Sequence, residues 1–375
     1  MSQAFRIGID ARFFGLASAG LARYNRELIK HLLKAERPYK YVVFVRPDDA
    51  GDPLLQHPDV EIRVSTIPHY TLREQLRFGA ELRAAHLDLM HFTNFNWPLG
   101  YRGPFLFTIH DLTLLQFAGR SPVSKLKIRP LRLAMQQGVK RSEVVITVSE
   151  YQRGLIAQTF GTSQDKIVVT HNGIDQAFKP LPPAEVETFR KRHGLPGRYI
   201  MYTGQWRQHK NLLRLLKAFD QVHHHDPKLK LVLIGKVDEA FPIIPRTIRE
   251  LGLEREVIMT GFVEDVDLPY YYNAATVFAF PSLSEGFGIP PVEALACGTP
   301  VASSNAAPMP EILAQAAAYF DPHDTKDVAT VISRLLTDQN LRQDCIKRGL
   351  VQASRYSWEH TAETILKTYD QVLAQ

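Results

Sequence analysis

The chain has almost no cysteine. Among 375 residues only Cys297 and Cys345 occur, and neither belongs to a CxxC pair. That excludes a disulfide framework or a thiolate metal site as the organising device, and makes a reducing cytoplasm the simplest compartment. Long apolar runs are also missing. No stretch approaches the roughly 18–20 residues needed to cross a bilayer. The first residues, Met1 to Arg6, lead almost at once into a strand pattern and lack the h-region of a signal peptide. Histidines do not cluster usefully: His223, His224 and His225 are consecutive at a helix end and cannot converge on one ion without distortion. No metal site is expected. Low-complexity tracts and short-period repeats are absent as well.

Acidic residues are missing from one long stretch. The net charge is +6, and residues 1–180 hold 24 Lys and Arg against 16 Asp and Glu, while the remainder is slightly acidic. The surplus gathers between Leu112 and Ser142, where Arg120, Lys125, Lys127, Arg129, Arg132, Lys140 and Arg141 meet no carboxylate. Interleaved with Leu126, Ile128, Leu131, Leu133 and Met135, they have the pattern of a basic amphipathic helix. Two readings of 120–141 stand: a solvated helix face, or adsorption to an anionic membrane surface or an anionic acceptor. Nucleic acid ranks below both and is not an expected partner, because no aromatic–basic interleaving or nucleic-acid motif occurs.

A chain of 375 residues exceeds one ordinary core, so two domains are expected. Strand patterns over 5–10, 41–45, 60–64, 87–92, 104–110, 143–148 and 167–170 alternate with helical periodicity, clearest over 21–33 and 72–85. Such alternation predicts an α/β fold with mostly parallel, helix-covered sheets. The texture changes near Pro180, Pro182 and Pro183, three prolines in four residues that read as a linker. Strands then resume over 199–203, 230–234, 257–260, 276–280, 300–304 and 318–320, with helices over 211–224, 291–296 and 328–337. The expected domains are therefore 1–180 and 181–357, followed by a helix that Ser357 caps. In open α/β sheets ligands bind beyond the carboxyl ends of the strands, so two such domains can share one ligand.

The most informative segment runs from Glu285 through Gly286, Phe287, Gly288, Ile289, Pro290, Pro291 and Val292 to Glu293. It reads as a glycine turn between a strand and a helix. Gly286 and Gly288 let a ligand approach the backbone, the prolines suit a helix's first turn, and the helix start favours phosphate. A carboxylate would repel that phosphate, so the glutamates face hydroxyl groups. Phosphate plus polyhydroxyl describes a nucleotide-sugar. An ordinary strand–helix turn with two surface glutamates gives the same local pattern.

Three other places could carry chemistry. Arg207 and Lys210 lie on the loop after a strand, where a planar fork and a point charge suit a diphosphate or merely solvate the loop. His110 ends an apolar strand, placed to bond a substrate hydroxyl or to serve as a structural histidine. The small-residue loop from Gly15 to Gly20 can cradle phosphate or sugar, without the dense G-x-G-x-x-G spacing.

Together these segments resemble the family 4 retaining glycosyltransferases, over essentially the whole chain. The resemblance is carried by Ile7-Gly8-Ile9-Asp10-Ala11-Arg12, Thr108-Ile109-His110-Asp111-Leu112, Val148-Ser149-Glu150 and Asn172-Gly173-Ile174-Asp175. It continues in Gly204 through Asn211, Gly261-Phe262-Val263, Pro281 through Glu293, and Ser357-Trp358. It implies two facing Rossmann-like domains of the GT-B type with a central cleft, the first for acceptor and the second for nucleotide-sugar. The last helix, about 358–375, would return to the first domain.

The resemblance also implies roles. Glu285 would contact the donor sugar and Glu293 the ribose, while Gly286, Phe287, Gly288 and Ile289 line sugar and diphosphate and Val263 joins the donor site. Arg207 and Lys210 would stabilise the departing diphosphate in place of a metal ion. His110 would sit over the sugar near the reacting centre, with Gly15 and Gly20 near diphosphate and acceptor. The chain departs from the family pattern at Gln205 and His209, where basic residues are common, and in its sparser glycine loop.

The implied activity is retaining transfer of a hexose to a saccharide or lipid-linked acceptor hydroxyl, with no cofactor. Resemblance to bacterial polysaccharide enzymes points to mannose from GDP-mannose, leaving UDP-glucose and UDP-N-acetylhexosamines open. The implied location is cytoplasmic, or peripheral on the inner face of the plasma membrane. Two alternatives stand, a nucleotide-sugar epimerase of the same architecture and a catalytically silent nucleotide-sugar-binding partner.

Overall fold

The structure, a computed structural model, describes residues 4–15, 19–117, 122–236 and 242–375, with backbone alone for residues 19 and 122–127. The chain divides into two compact units. One runs to Gly173 and resumes at Ser357, and the other spans Ile174–Tyr356.

In the first unit the described strands are β1 (Phe5–Asp10), β2 (Tyr39–Val45), β3 (Val60–Val64), β4 (Leu89–Phe92), β5 (Phe105–Thr108), β6 (Val144–Thr147) and β7 (Ile167–Val169). They form one sheet in the order β3-β2-β1-β4-β5-β6-β7, every pair parallel. In the second, β8 (Tyr199–Thr203), β9 (Lys230–Ile234), β10 (Val257–Gly261), β11 (Val277–Phe280), β12 (Val301–Ser304) and β13 (Ala317–Phe320) pair in parallel as β10-β9-β8-β11-β12-β13. Both orders reverse direction beside the unit's first strand, the switch point where α/β sheets open a crevice.

The strands are apolar on both faces because helices cover both faces. Helix Ala19–Lys34 buries Tyr24, Leu28, Ile29 and Leu32, and helix Leu212–His225 buries Leu212, Leu215, Leu216, Phe219 and Val222. Each pattern is one helical stripe. Two sequence readings change. The periodic stretch over 72–85 opens as a π-helix, Glu74–Phe78, before the α-helix Gly79–Ala84. Of the three prolines, Pro180 lies in the irregular segment, Pro182 caps helix Pro183–Arg192 and Pro183 begins it, where a first-turn proline removes an N–H that would be unpaired anyway. The chain leaves the first unit earlier, at Gly173. A Cβ there would stand 2.1 Å from the Trp358 amide nitrogen, so only glycine lets the outgoing and returning segments pack.

Helix Trp358–Leu373 belongs to the first unit. The Ser357 hydroxyl caps it by accepting from the His360 N–H at 3.2 Å. Trp358, Ile365 and Tyr369 enter the core of β1, β2 and β5 residues, each contributing roughly 1.5–3 kcal/mol by burial. Tyr369 Oη meets His91 Nδ1 at 2.7 Å, and His91 Nε2 meets Thr108 Oγ1 at 2.9 Å. The His91 ring is fully buried, and desolvation lowers its pKa from 6.5 to about 3.

Folded His91 therefore stays neutral where the unfolded residue takes a proton. Its contribution is complete above pH 6.5 and is lost as pH falls toward about 3, at up to about 1.4 kcal/mol per pH unit. Urea titrations at pH 7 and pH 5 should show a smaller pH-dependent drop in His91→Asn than in the native chain. Equal drops would show that another group carries the acid sensitivity.

Candidate active site

Parallel pairing of β8 with β11 sets their carboxyl ends side by side. The loop after β8 ends in the short turn Gln208–Lys210, and the loop after β11 carries Glu285. Lys210 Nζ reaches Glu285 Oε1 at 2.7 Å and Oε2 at 2.9 Å. The two side chains keep 19% and 12% of their surface exposed, so solvent screens the pair and a ligand can compete for either member. The loops beneath are fixed. Asn211 takes a left-handed conformation, φ 59°, that asparagine tolerates, and its Nδ2 donates to the carbonyls of Pro281 and Pro322 at 3.1 and 2.8 Å. The Leu283 N–H donates to the His209 carbonyl at 2.7 Å.

Glu293 lies one helical step further, on helix Ile289–Ala296, and is buried; its Oε2 accepts from the Tyr272 hydroxyl at 2.8 Å. Gly288 caps this helix at φ 87°, and a Cβ there would stand 2.6 Å from Met309 Cε. Gly286, Phe287 and Gly288 are buried and Ile289 is half-buried. Phe287 packs edge-on against Tyr356, ring centroids 5.2 Å apart. Because Pro290 and Pro291 carry no N–H, the helix's first positions offer only the Gly288 and Ile289 amides.

Glycines line the neighbouring strand ends as well. Gly204, Gly235 and Gly261 close β8, β9 and β10 with φ 146°, 138° and 73°. The Gly204 N–H donates to Ile234 O at 3.1 Å and the Gly235 N–H to Gly261 O at 2.9 Å. A Cβ on Gly235 would stand 2.1 Å from the Gly204 carbonyl.

The remaining sequence candidates are placed as follows. Arg207 is exposed at the start of the turn that ends in Lys210, and Val263 is half-buried just beyond β10. His110 belongs to the first unit, directly after β5. Its Nε2 donates to the Thr93 carbonyl at 2.9 Å and the Tyr24 ring meets it edge-on at 4.6 Å. Desolvation lowers its pKa. A neutral ring whose Nε2 carries the proton keeps Nδ1 as an acceptor. Of the glycine loop, Gly20 sits in helix Ala19–Lys34, a Cβ on Gly15 would stand 1.8 Å from Asp49 Oδ1, and residues 16–18 lie outside the described residues. The basic stretch forms helix Pro122–Arg141, with Arg129, Arg132, Leu133 and Lys140 exposed and Met135 and Val139 buried. Arg120 lies outside the described residues, as do the Lys125 and Lys127 side chains.

Sequence reasoning gave no role to Gly235, to Asn211 as a loop clamp, or to Tyr272 as the partner of Glu293. A glycine directly after an apolar strand was the available signal for the first; the others depend on contacts distant in sequence. It also passed over Asp265-Val266-Asp267, an Asp-x-Asp spacing, whose Asp267 sits at the start of helix Leu268–Ala274. Among the described residues no three His, Cys, Asp or Glu side chains gather as metal ligands would.

Gly288→Ala should lower the stability of the second unit by about 1–3 kcal/mol, from left-handed strain and the Met309 contact. Differential scanning calorimetry measures this. An unchanged transition would mean the turn relaxes freely and is not preorganised.

Residues 185–352 match the family model described as glycosyl transferases group 1, and residues 18–178 match glycosyltransferase family 4. The chain is 29% identical to O-antigen chain mannosyltransferase B of Escherichia coli, over 93% of this chain and 95% of that protein. Among solved structures it is similar to sucrose-phosphate synthase from Thermosynechococcus elongatus (TM-score 0.82, 21% identity, 99% of each chain covered). It is also similar to Anabaena HepE in complex with UDP and glucose (TM-score 0.78, 21% identity, 98% of this chain and 100% of that one). Two parallel-sheet units with these motifs at their strand ends, matched by family models in both halves, place the chain in the family 4 glycosyltransferases of GT-B fold.

Proposed function

We propose that this glycosyltransferase moves mannose from GDP-mannose to the hydroxyl of a saccharide or lipid-linked acceptor, with retention of configuration and without a metal ion. The observation that carries the reading is the Lys210–Glu285 pair beside the turn Gly286–Ile289. Without donor, each charge neutralises the other. A diphosphate on the turn attracts Lys210 as a point charge, and Arg207, nearby on the same loop, adds a second cation. Glu285 is then released to accept hydrogen bonds from sugar hydroxyls, while Glu293, held by Tyr272, serves the ribose.

The bond from the anomeric carbon to the diphosphate oxygen breaks with its electron pair going to the diphosphate. The acceptor hydroxyl bonds to the same face and gives its proton to the departing oxygen. Cations at the diphosphate stabilise charge where it develops. Neutral His110 offers Nδ1 to a sugar hydroxyl. Mannose as the transferred sugar is supported by similarity to the E. coli O-antigen mannosyltransferase. The epimerase alternative finds no support among the relatives described.

No helix of the described residues is long and apolar enough to cross a membrane. Association with an anionic leaflet through helix Pro122–Arg141 fits the exposed Arg129, Arg132 and Leu133.

Glu285→Gln should reduce transfer about 10²-fold or more, with GDP affinity within about threefold of the native chain and no effect of chelator on the native rate. Full activity in the variant overturns the assignment. The membrane reading has its own check, co-sedimentation with phosphatidylglycerol vesicles. Serine at Arg129 and Arg132 together should weaken binding about tenfold or more, near 1 kcal/mol per charge, whereas equal binding leaves the helix as a solvated face.

A further inference from the structure

The first unit also holds a buried ion cluster. Arg12, Asp10 and Glu74 are all buried, with Arg12 fully enclosed. Arg12 Nε and Nη2 donate to Asp10 at 2.8 and 2.7 Å, and Nη2 also to Glu74 at 2.6 Å. Its guanidinium lies 3.6 Å over the Phe78 ring. Enclosing three charges costs several kcal/mol per ion before pairing offsets it, so what the cluster holds in place matters.

It holds an exposed aromatic in an uncommon conformation. Glu74 Oε2 accepts the Tyr70 N–H at 2.7 Å, and Glu74 Oε1 accepts from Asn96 Nδ2 at 2.9 Å. Asn94 Nδ2 donates to Asn96 Oδ1 at 3.0 Å and to the Tyr70 hydroxyl at 2.7 Å. Tyr70 itself has φ 58°, in the left-handed region that a bulky residue rarely occupies, yet it is 55% exposed. Glu74 also begins the π-helix, a feature frequent at functional sites. A strained, clamped tyrosine that remains open to solvent is organised for something outside the fold.

Its surroundings show the chemistry on offer. The Tyr70 ring tilts over Phe95 at 5.6 Å, and Phe13 stacks on His69 at 3.6 Å. Asn94 Oδ1 receives no hydrogen bond from the described residues, and the Tyr70 hydroxyl, accepting from Asn94, keeps its own hydrogen to donate. Burial holds His69 neutral, its pKa lowered to about 4. One guanidinium against two carboxylates leaves the cluster below net negative, which disfavours a phosphate.

We propose that Tyr70 and Asn94, backed by Phe13, His69 and Phe95, form a shelf for a neutral pyranose ring of the acceptor. The apolar C–H face of the sugar lies on the Tyr70 ring, and its hydroxyls bond Asn94 Oδ1 and the phenol. Phosphorylated sugars are excluded by charge. The assignment rests on saccharide transfer as the activity, and its test separates the two.

The test titrates the full chain with methyl α-D-mannopyranoside, methyl α-D-glucopyranoside, α-mannobiose and mannose 6-phosphate by ligand-observed NMR, with GDP affinity and donor hydrolysis as controls. At least one neutral glycoside should bind, and mannose 6-phosphate should bind more weakly. Tyr70→Gly and Asn94→Ala should each weaken glycoside binding about tenfold, and Tyr70→Phe, which keeps the ring, by less. GDP binding and donor hydrolysis should stay within about twofold. Glycine accepts the positive φ, so Tyr70→Gly should keep the native fold; a purely structural tyrosine would lower the melting temperature and leave glycoside binding alone. The shelf is overturned if no neutral glycoside binds, if the phosphorylated sugar binds tighter, or if both variants bind normally. Tyr70-dependent glycoside binding in a protein that turns over no nucleotide-sugar would sink the transfer reading while upholding the shelf.

Discussion

Parallel strand pairing is the constraint on which the rest depends. A parallel ladder forces each chain segment to return through a crossover, so every strand of a sheet ends at the same edge. That geometry gathers residues that are far apart in sequence. In the second unit Lys210, Gly235, Val263 and Glu285 follow β8, β9, β10 and β11 in turn. Glycine is needed at several of these ends because neighbouring loops approach to where a Cβ would collide, as between Gly235 and the Gly204 carbonyl. The site is a consequence of the ladder before it is a consequence of any one side chain.

Two sets of ion pairs on these edges differ in kind. Arg12 with Asp10 and Glu74 is sealed from water, and losing one member would strand a buried charge. Such a cluster suits a permanent brace. Lys210 with Glu285 keeps part of each side chain open to solvent, which makes it suitable for exchange with a ligand. Burial alone separates the two roles. In the same way Glu285 and Glu293 share one short motif, yet Glu293 is enclosed against Tyr272 while Glu285 faces a cation.

Much of the fold was legible in the pattern of residues. Each of the thirteen strand patterns corresponds to a strand, because a sheet covered on both faces demands near-continuous apolar runs that stand out between polar helices. The proline cluster misled for a physical reason: proline ends one element and equally well begins the next. The π-helix at Glu74 was hidden, since the Arg12–Glu74 contact that accompanies it joins residues distant in sequence. Tyr70 in its left-handed conformation was hidden for the same reason.

The sequence by itself determined the alternation of elements, the division into two α/β units, and the residue types gathered near the strand ends. These follow from local periodicity and from glycine and proline stereochemistry. Only the tertiary structure decided which polar and charged groups meet. Lys210 finds Glu285, Glu293 finds Tyr272, and Arg12 finds Glu74 through strand order and burial. Return of the last helix to the first unit, sealed by Tyr369 on His91, belongs to the same class. Periodicity says that a helix has an apolar face, but the partner of that face is chosen by packing across the whole chain.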